Sequence, residues 1–120
     1  MIVHRSEMKV EQKERMRGGE GTVFLTHFVG ENTQKNTRLA GEFTLPPGTS
    51  IGIHRHDKET EYFIFLEGTG TVTDNGAERP IQKGDVMITG NGASHSVKNT
   101  GSLPLIFTAL IVTHEAPGSA

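Results

Sequence analysis

Three of the six histidines and one glutamate lie in two short segments whose composition is typical of metal ligands. His54 and His56 are two residues apart, so their side chains point to the same side of an extended chain. Glu61 follows after four residues, and a turn there can direct its carboxylate back toward the two imidazoles. His95 lies in a later segment that barrel closure can bring alongside. These nitrogen and oxygen donors suit Mn, Fe, Ni, Co, Cu or Zn as a divalent ion.

Two other interpretations of these residues stay open: a coincidental polar cluster, and a tetrahedral zinc site closed to substrate. Glu59 also competes with Glu61 as the carboxylate ligand. The spacing favours Glu61 and leaves Glu59 at the surface or beside a ligand. The chain contains no cysteine, which excludes a disulfide scaffold, a thiolate metal site and a cysteine nucleophile.

His27 and Glu42 are the candidate catalytic residues. A reaction that removes a proton from carbon needs a base within hydrogen-bond reach, and the chain offers few candidates. His27 lies in a predicted strand from which it can reach a central cavity, although an ordinary half-buried histidine is the simpler interpretation. Glu42 shares a strand face with Arg38 and is the first candidate for a second charged group near the cavity. The alternative for that face is simple solvation.

Short strands are predicted to position these residues. Fifteen glycines and five prolines punctuate the chain, which favours strands and turns over long helices. The predicted strands, rich in β-branched and aromatic residues or alternating in polarity, cover 22–29, 38–45, 61–66, 71–73, 86–89, 94–98 and 105–113. Asn75-Gly76 predicts a tight hairpin turn, and one helix is predicted from Ser6 to Met16. This pattern indicates an all-β sandwich or barrel.

Alternation along the aromatic strand predicts which of its side chains face the barrel interior. Phe63 and Phe65 share the parity of Glu61, so they are expected to line the interior beside it. Tyr62 has the opposite parity and is expected to point away.

Residues 1–115 are predicted to form a single domain, because 120 residues match the usual size of one, and 116–120 a disordered tail. Twelve Lys and Arg against fourteen Asp and Glu give a net charge of −2, which argues against a nucleic-acid partner. No apolar run approaches the roughly 18 residues of a membrane span, and the first residues lack a signal peptide. The protein is therefore expected to be cytoplasmic, with no membrane partner.

Two spaced motifs in the middle of the chain resemble those of the cupin family. The first segment is similar to the whole first cupin motif: it consists of Gly48, five residues, His54-Arg55-His56, four residues, Glu61, six residues and Gly68. The second segment resembles the second cupin motif: it consists of Gly84, five residues, Gly90-Asn91-Gly92, two residues, His95, three residues and Asn99. Gly90 stands where the family usually has proline. The 15 residues between the motifs resemble the spacing in compact single-domain microbial cupins.

This resemblance implies both a fold and a site. The fold is a double-stranded β-helix, the jelly-roll barrel of cupins. The site is a single divalent transition metal held inside the barrel by His54, His56, Glu61 and His95. Four protein ligands on an octahedral ion would leave two positions for water, dioxygen or a chelating substrate.

The function implied by the resemblance is a metal-dependent enzyme, a dioxygenase or an isomerase or lyase, acting on a small oxygen-rich or carboxylate-bearing molecule. A non-catalytic module that binds or senses a small molecule is the alternative, because cupins include both and fold alone does not determine function. The scarcity of bases slightly favours oxidative or Lewis-acid chemistry. A homodimer is expected, since small cupins commonly pair through edge strands and an open sheet edge provides a physical motive.

Overall fold

Residues 1–115, which the computed structural model describes, form β-strands joined by turns and short 3₁₀ helices. The 3₁₀ helices span Arg5–Glu7, Met16–Gly18 and Gly30–Asn32. The strands are β1 (Val10–Glu14), β2 (Thr22–His27), β3 (Thr37–Leu45), β4 (Ser50–Arg55), β5 (Glu59–Glu67), β6 (Thr69–Asp74), β7 (Ala77–Gln82), β8 (Val86–Gly90), β9 (Ser94–Lys98) and β10 (Leu105–Thr113). Every strand expected from the sequence is present, with its ends within two residues of the prediction.

The strands form two antiparallel sheets that share one hydrophobic core. One sheet has six strands in the order β1-β2-β3-β10-β5-β8, and the other has four in the order β4-β9-β6-β7. Phe107 lies at the centre of an aromatic cluster, with ring centroids 4.5 Å from Phe63, 5.2 Å from Phe65 and 5.4 Å from Phe43. This architecture confirms the predicted all-β fold, a double-stranded β-helix.

The interior face of β5 follows the predicted alternation. Glu61, Phe63 and Phe65 are 3%, 1% and 1% exposed, whereas Tyr62 on the opposite face is half-buried. The strand therefore carries a buried carboxylate beside a wall of aromatic rings.

The Asn75-Gly76 turn joins β6 to β7 as predicted. Both residues have positive φ, +47° and +89°, and Asp74 pairs with Ala77 across the turn. A two-residue loop with this backbone matches the twist of the flanking strands, which is why the sequence signal was reliable.

The predicted helix from Ser6 to Met16 is wrong. The segment instead contains a 3₁₀ turn at Arg5–Glu7 and strand β1, which pairs with β2 from Val10↔Thr26 to Glu14↔Thr22. The apolar stripe of such a helix would have been too thin to bury, since packing supplies most helical stability. Pairing with the edge of β2 gives the backbone its hydrogen bonds without needing that stripe.

A bulge in β4 determines which of its side chains face the core. Ile51 pairs with Val97 and His54 pairs with His95, so β4 has one more residue than β9 in this interval. The extra residue places both Ile51 and His54 on the inner side and leaves Ile53 62% exposed. Without the bulge, the imidazole of His54 would face solvent.

Two predictions concern the C-terminal end of the chain. The disordered tail predicted for 116–120 lies outside the described residues, and the domain boundary at 115 stays a prediction. Among residues 1–115, no helix is long and apolar enough to cross a membrane.

Candidate metal centre

The four predicted ligands come together from three strands. His54 on β4 lies directly across from His95 on β9, while Glu61 projects inward from β5. His56 follows the end of β4 and is held by two backbone hydrogen bonds, from its N–H to the carbonyl of Ala93 and from the N–H of Gly92 to its own carbonyl. The chain is thereby fixed on both sides of the His-x-His pair.

The donor atoms of these residues converge on one point. The Nε2 atom of His95 lies 3.0 Å from Nε2 of His54 and 3.0 Å from Nε2 of His56. Oε1 of Glu61 lies 2.9 Å from Nε2 of His56, 3.0 Å from Nε2 of His95 and 4.0 Å from Nε2 of His54. All four donors fall within 4.8 Å of one another, and the cluster is able to bind a metal ion.

The opposite nitrogen of each ring has its own partner. Nδ1 of His54 donates to the carbonyl of Gly52 at 2.8 Å, and Nδ1 of His56 donates to Oε2 of Glu59 at 2.6 Å. Nδ1 of His95 lies 2.8 Å from the hydroxyl of Thr89, which can accept its proton. Because a carbonyl and a carboxylate only accept, neutral rings of His54 and His56 would direct unprotonated Nε2 atoms at a bound metal.

These distances fit a metal ion. Metal–nitrogen bonds of about 2.0–2.1 Å at a right angle place two donors roughly 3.0 Å apart, whereas tetrahedral angles would place them roughly 3.4 Å apart. Four of these separations are 2.9 to 3.0 Å and therefore match neighbouring positions of an octahedral ion. A cation at the centre would be bound by all four donors, and without it an Nε2 proton of His56 or His95 is donated to Glu61. The geometry thus favours an open octahedral site over a closed tetrahedral zinc.

Glu59 is part of the support of the site. Its two carboxylate oxygens accept hydrogen bonds from Nε and a terminal nitrogen of Arg38 at 2.8 and 2.7 Å, while Oε2 also accepts from His56. The hydrogen bonds from Arg38 lower the pKa of Glu59 to about 2, so its carboxylate is ionised. An ionised acceptor behind a ligating histidine fixes the ring and increases its basicity.

Arg38 reaches Glu59 because of a second bulge. Leu39 pairs with Ile111 and Thr37 pairs with Val112, which leaves Arg38 as the extra residue of β3. The bulge turns a side chain that simple alternation assigns to the outer face toward the site. Sequence reasoning did not connect Arg38 with Glu59 for this reason.

Burial and neighbouring charge shift the pKa values of the ligands. Burial lowers the pKa of His54 to about 4, which keeps the ring neutral. Burial also disfavours the charged form of His56, but hydrogen bonds with Glu61 and Glu59 outweigh it and raise the pKa. Burial would raise the pKa of Glu61, yet hydrogen bonds from His56 and His95 lower it. A metal ion therefore meets a carboxylate that is already ionised.

The ligand cluster opens into a cavity of about 510 Å³. His54, His56 and Glu61 lie on its wall beside Phe63, whose ring stacks on His95 with centroids 4.7 Å apart. The apolar part of the wall continues with side chains of the core: Leu25, Leu39, Phe43, Ile51 and Ile111. A concave, largely apolar cavity with a few convergent polar groups is the usual form of a small-molecule site.

The two predicted catalytic residues have different positions. His27 lines the cavity, where its Nε2 lies 2.9 Å from Oε1 of Glu11. Glu42 does not line it; its side chain points outward from β3 and pairs with Arg5 at 3.5 Å. The structure therefore brings His27, but not Glu42, to the same space as the metal ligands.

Several charged residues of the cavity were missed by the sequence analysis. Glu11, Lys13 and Glu14 on β1 line the wall, together with Arg15 and Arg17 after it. Their signal was an unusual polarity pattern: β1 alternates, but its charged residues face inward and Val10 faces outward. The mistaken helix concealed that alternation.

Ten strands in two antiparallel sheets, with three histidines and a glutamate converging inside, define a metal-binding double-stranded β-helix. The family model of the cupin domain matches residues 41–112, which include both motifs and all four ligands. The chain belongs to the cupin family.

Two comparisons with proteins of Thermotoga maritima extend over nearly the whole chain. The chain is 42% identical over 113 residues to an oxalate-binding protein of that organism, covering 93% of each chain. A crystal structure of a predicted oxalate decarboxylase from T. maritima superimposes with a TM-score of 0.88 at 42% identity, covering 94% of this chain and 99% of that one.

A polyketide cyclase from Streptomyces resistomycificus is similar in fold. Its structure has a TM-score of 0.75 at 19% identity and covers 98% of this chain and 81% of its own. At that identity the likeness concerns the architecture alone.

Proposed function

We propose that this protein binds a divalent transition metal, Mn, Fe, Ni, Co, Cu or Zn, on His54, His56, Glu61 and His95, and a small carboxylate-bearing molecule at the metal. The observation that carries the proposal is the convergence of three imidazole nitrogens and a carboxylate oxygen at the wall of a cavity of about 510 Å³. The relative from T. maritima that is named for binding oxalate supports a carboxylate ligand.

The charges of the cavity wall also favour an anionic ligand. Lys13, Arg15, Arg17 and Arg38 line it against three carboxylates, those of Glu11, Glu14 and Glu61. A bound divalent cation would add two more positive charges. Because Glu59 neutralises Arg38, the positive excess would come from the metal ion, which would attract small anions to the cavity.

Each group of the chain has a distinct task in this proposal. When bound, the metal would polarise a ligand oxygen or activate dioxygen. Glu59 and Thr89 orient two of the ligating rings, and Phe63 supports His95 and excludes water from one side.

Turnover of that ligand, as an isomerase or lyase, is supported by the pair of His27 and Glu11. With Glu11 accepting from Nε2, Nδ1 of His27 would serve as the base. His27 is one of the few candidate bases that the sequence offered. A dioxygenase and a non-catalytic binding or sensing module are the alternatives that assays must separate.

Elemental analysis and calorimetry test the binding proposal. Wild-type protein is expected to retain about one equivalent of metal and to bind oxalate when loaded, whereas a His54→Ala, His95→Ala double variant should do neither. His4→Ala is the matched control, because His4 is exposed and remote from the cluster. Metal-free wild-type protein that stays empty after reconstitution would refute the proposal.

Proton transfer and oxidation are distinguished by separate assays. An isomerase or lyase is expected to exchange a carbon-bound hydrogen of a 2-hydroxy or 2-oxo acid with deuterated solvent, and His27→Asn should abolish that exchange while metal content is kept. Oxygen consumption by the iron-loaded protein would instead indicate a dioxygenase. Tight binding of an acid with neither signal would indicate a binding module.

A further inference from the structure

Strand β1 presents its charged side chains to the cavity and its apolar side chain to solvent. Glu11 and Lys13 are half-buried and line the cavity, while Val10 on the other face is 57% exposed. An edge strand that only covered the core would place its apolar side chains inward and its charged side chains outward, because burial of apolar surface stabilises the fold. The inverted pattern indicates that this wall faces a polar occupant.

The contacts of Glu11 leave Lys13 with capacity for a ligand. Glu11 is hydrogen-bonded to His27 through Oε1 and lies 3.6 Å from the Lys13 ammonium through Oε2. An ion pair at that distance is too long for a hydrogen bond, so the three N–H donors of the ammonium are not consumed by it. Glu11 thus balances the charge of Lys13 without occupying its donors.

The turn after β1 adds two guanidinium groups at the cavity. Arg15 and Arg17 both have left-handed backbones, with φ of +48° and +55°, which are uncommon for residues other than glycine. The turn is held in place by Met16, which packs on the core, and by its close approach to Gly52 on β4. Strain of this kind persists where the surrounding structure enforces it, and it occurs often at binding sites.

The cavity is also large for a two-carbon ligand. A volume of about 510 Å³ corresponds to roughly 17 times the share of one molecule in liquid water, which is about 30 Å³. Oxalate, with two carbons and four oxygens, would fill a minor part of it. The rest of the space is bordered by the cationic wall.

We propose that Lys13, Arg15 and Arg17 form a second anion subsite, and that the ligand is an acid with one carboxylate for the metal and a second carboxylate for this subsite. The inference rests on the proposed metal site, because the first carboxylate must be held there. It assigns a role to the β1 wall that metal binding does not need, and it makes the ligand longer than oxalate.

Three acids test the subsite by calorimetry on the manganese-loaded protein. Malate and 2-hydroxybutyrate share the same 2-hydroxy acid end and chain length, but only malate has a second carboxylate; oxalate reports on the metal end alone. Wild-type protein is expected to bind malate at least about tenfold more tightly than 2-hydroxybutyrate, as expected for a hydrogen bond between charged groups. Lys13→Met should reduce that ratio several-fold and leave the oxalate affinity nearly unchanged.

Matched variants exclude other causes. Lys83→Met removes an equally long side chain from the exposed turn after β7 and should leave every affinity unchanged. Arg15→Gln combined with Arg17→Gln should weaken malate binding and spare oxalate. Oxalate binding with no preference for malate, or a preference that survives in Lys13→Met, would overturn the subsite alone. Failure of all three acids to bind would overturn the metal-site proposal together with it.

Discussion

At the scale of single residues, the site depends on where three ring protons lie. His54, His56 and His95 direct Nδ1 at a carbonyl, a carboxylate and a hydroxyl, and these acceptors keep Nε2 available for a cation. The three acceptors differ in charge and should therefore contribute unequally to metal affinity. Two of them, Glu59 and Thr89, are side chains and can be changed by substitution.

Replacing Glu59 with Gln should weaken metal binding by about 10- to 100-fold. The amide oxygen can still accept from His56, but the negative charge that increases the basicity of the ring is lost, as is the ion pair with Arg38. Titration of the metal against a competing chelator measures the change. Glu67→Gln, on the exposed end of the same strand, should have no effect; an equal loss there would point to a general electrostatic cause.

Replacing Thr89 with Val should disrupt the tautomer of His95. Both residues are 1% exposed, so the isosteric change either leaves the Nδ1 proton unpaired, at a cost of about 1–3 kcal/mol, or moves it to Nε2. In the second case the ring can no longer bind metal through that atom. Nitrogen NMR of the imidazole and a metal titration should reveal it, and Thr89→Ser should retain both the tautomer and the affinity. Unchanged metal affinity in Thr89→Val would show that the hydroxyl does not position His95.

At the scale of elements, the sequence was informative where a strand was rich in apolar or aromatic residues or a turn needed special backbone angles. It predicted β5 and β9, which carry Glu61 and His95, the Asn75-Gly76 hairpin and the convergence of the four ligands, but it did not predict β4, which carries His54. It could not show the bulges in β3 and β4, because an extra residue changes side-chain direction without a compositional signal. These two bulges direct Arg38 to Glu59 and His54 to the interior.

The helix predicted over Ser6–Met16 failed for a related reason. Local capping and breaking signals were present, but the competing partner, the edge of β2, is distant in sequence. The alternating burial of β1 places charged side chains inward, and such a pattern indicates a strand only if a polar cavity lies on that side. That condition depends on the cavity, which no local pattern reveals.

Substituting Gly52 by Ala tests how tightly β4 and the Arg15–Arg17 turn are joined. A Cβ atom at this position would lie 2.1 Å from the carbonyl oxygen of Arg17, so either the turn or the β4 bulge must move. We expect a loss of about 1–3 kcal/mol, which corresponds to roughly 5–10 °C in Tm. Ile53→Ala, at the exposed neighbouring position, should change Tm by little; calorimetry on both variants makes the comparison. A Gly52→Ala protein as stable as wild type would show that the turn yields easily.

At the scale of the whole molecule, a metal on this site would connect the two sheets. His54 and His95 belong to the four-stranded sheet and Glu61 to the six-stranded sheet, so one ion would bind residues from both. Metal at about 100 times its Kd should stabilise the fold by about 2.7 kcal/mol, or roughly 10 °C in Tm. Differential scanning calorimetry should show this increase in wild type and none in the His54→Ala, His95→Ala double variant; an equal increase in both would place the metal elsewhere.

The six-stranded sheet has an exposed apolar edge at β8. β8 lies at the edge of the six-stranded sheet, and its outward residues Val86 and Ile88 are 53% and 61% exposed beside Ile64 of β5, which is 38% exposed. An exposed apolar edge is a template for pairing, and burying it against a second copy would stabilise both chains. We therefore expect a homodimer of 13.0 kDa subunits through β8.

Light scattering after size exclusion tests that expectation directly. Ile88→Lys should convert the dimer to a monomer, because the pairing edge would then carry a charge that must be desolvated. Ile53→Lys is the matched control, since Ile53 is equally exposed at 62% but lies on the other sheet. A wild-type monomer, or a dimer that persists in Ile88→Lys and dissociates in Ile53→Lys, would rule out the β8 edge as the interface. Because the metal ligands face the interior, the monomeric variant should still bind metal, which separates assembly from the site.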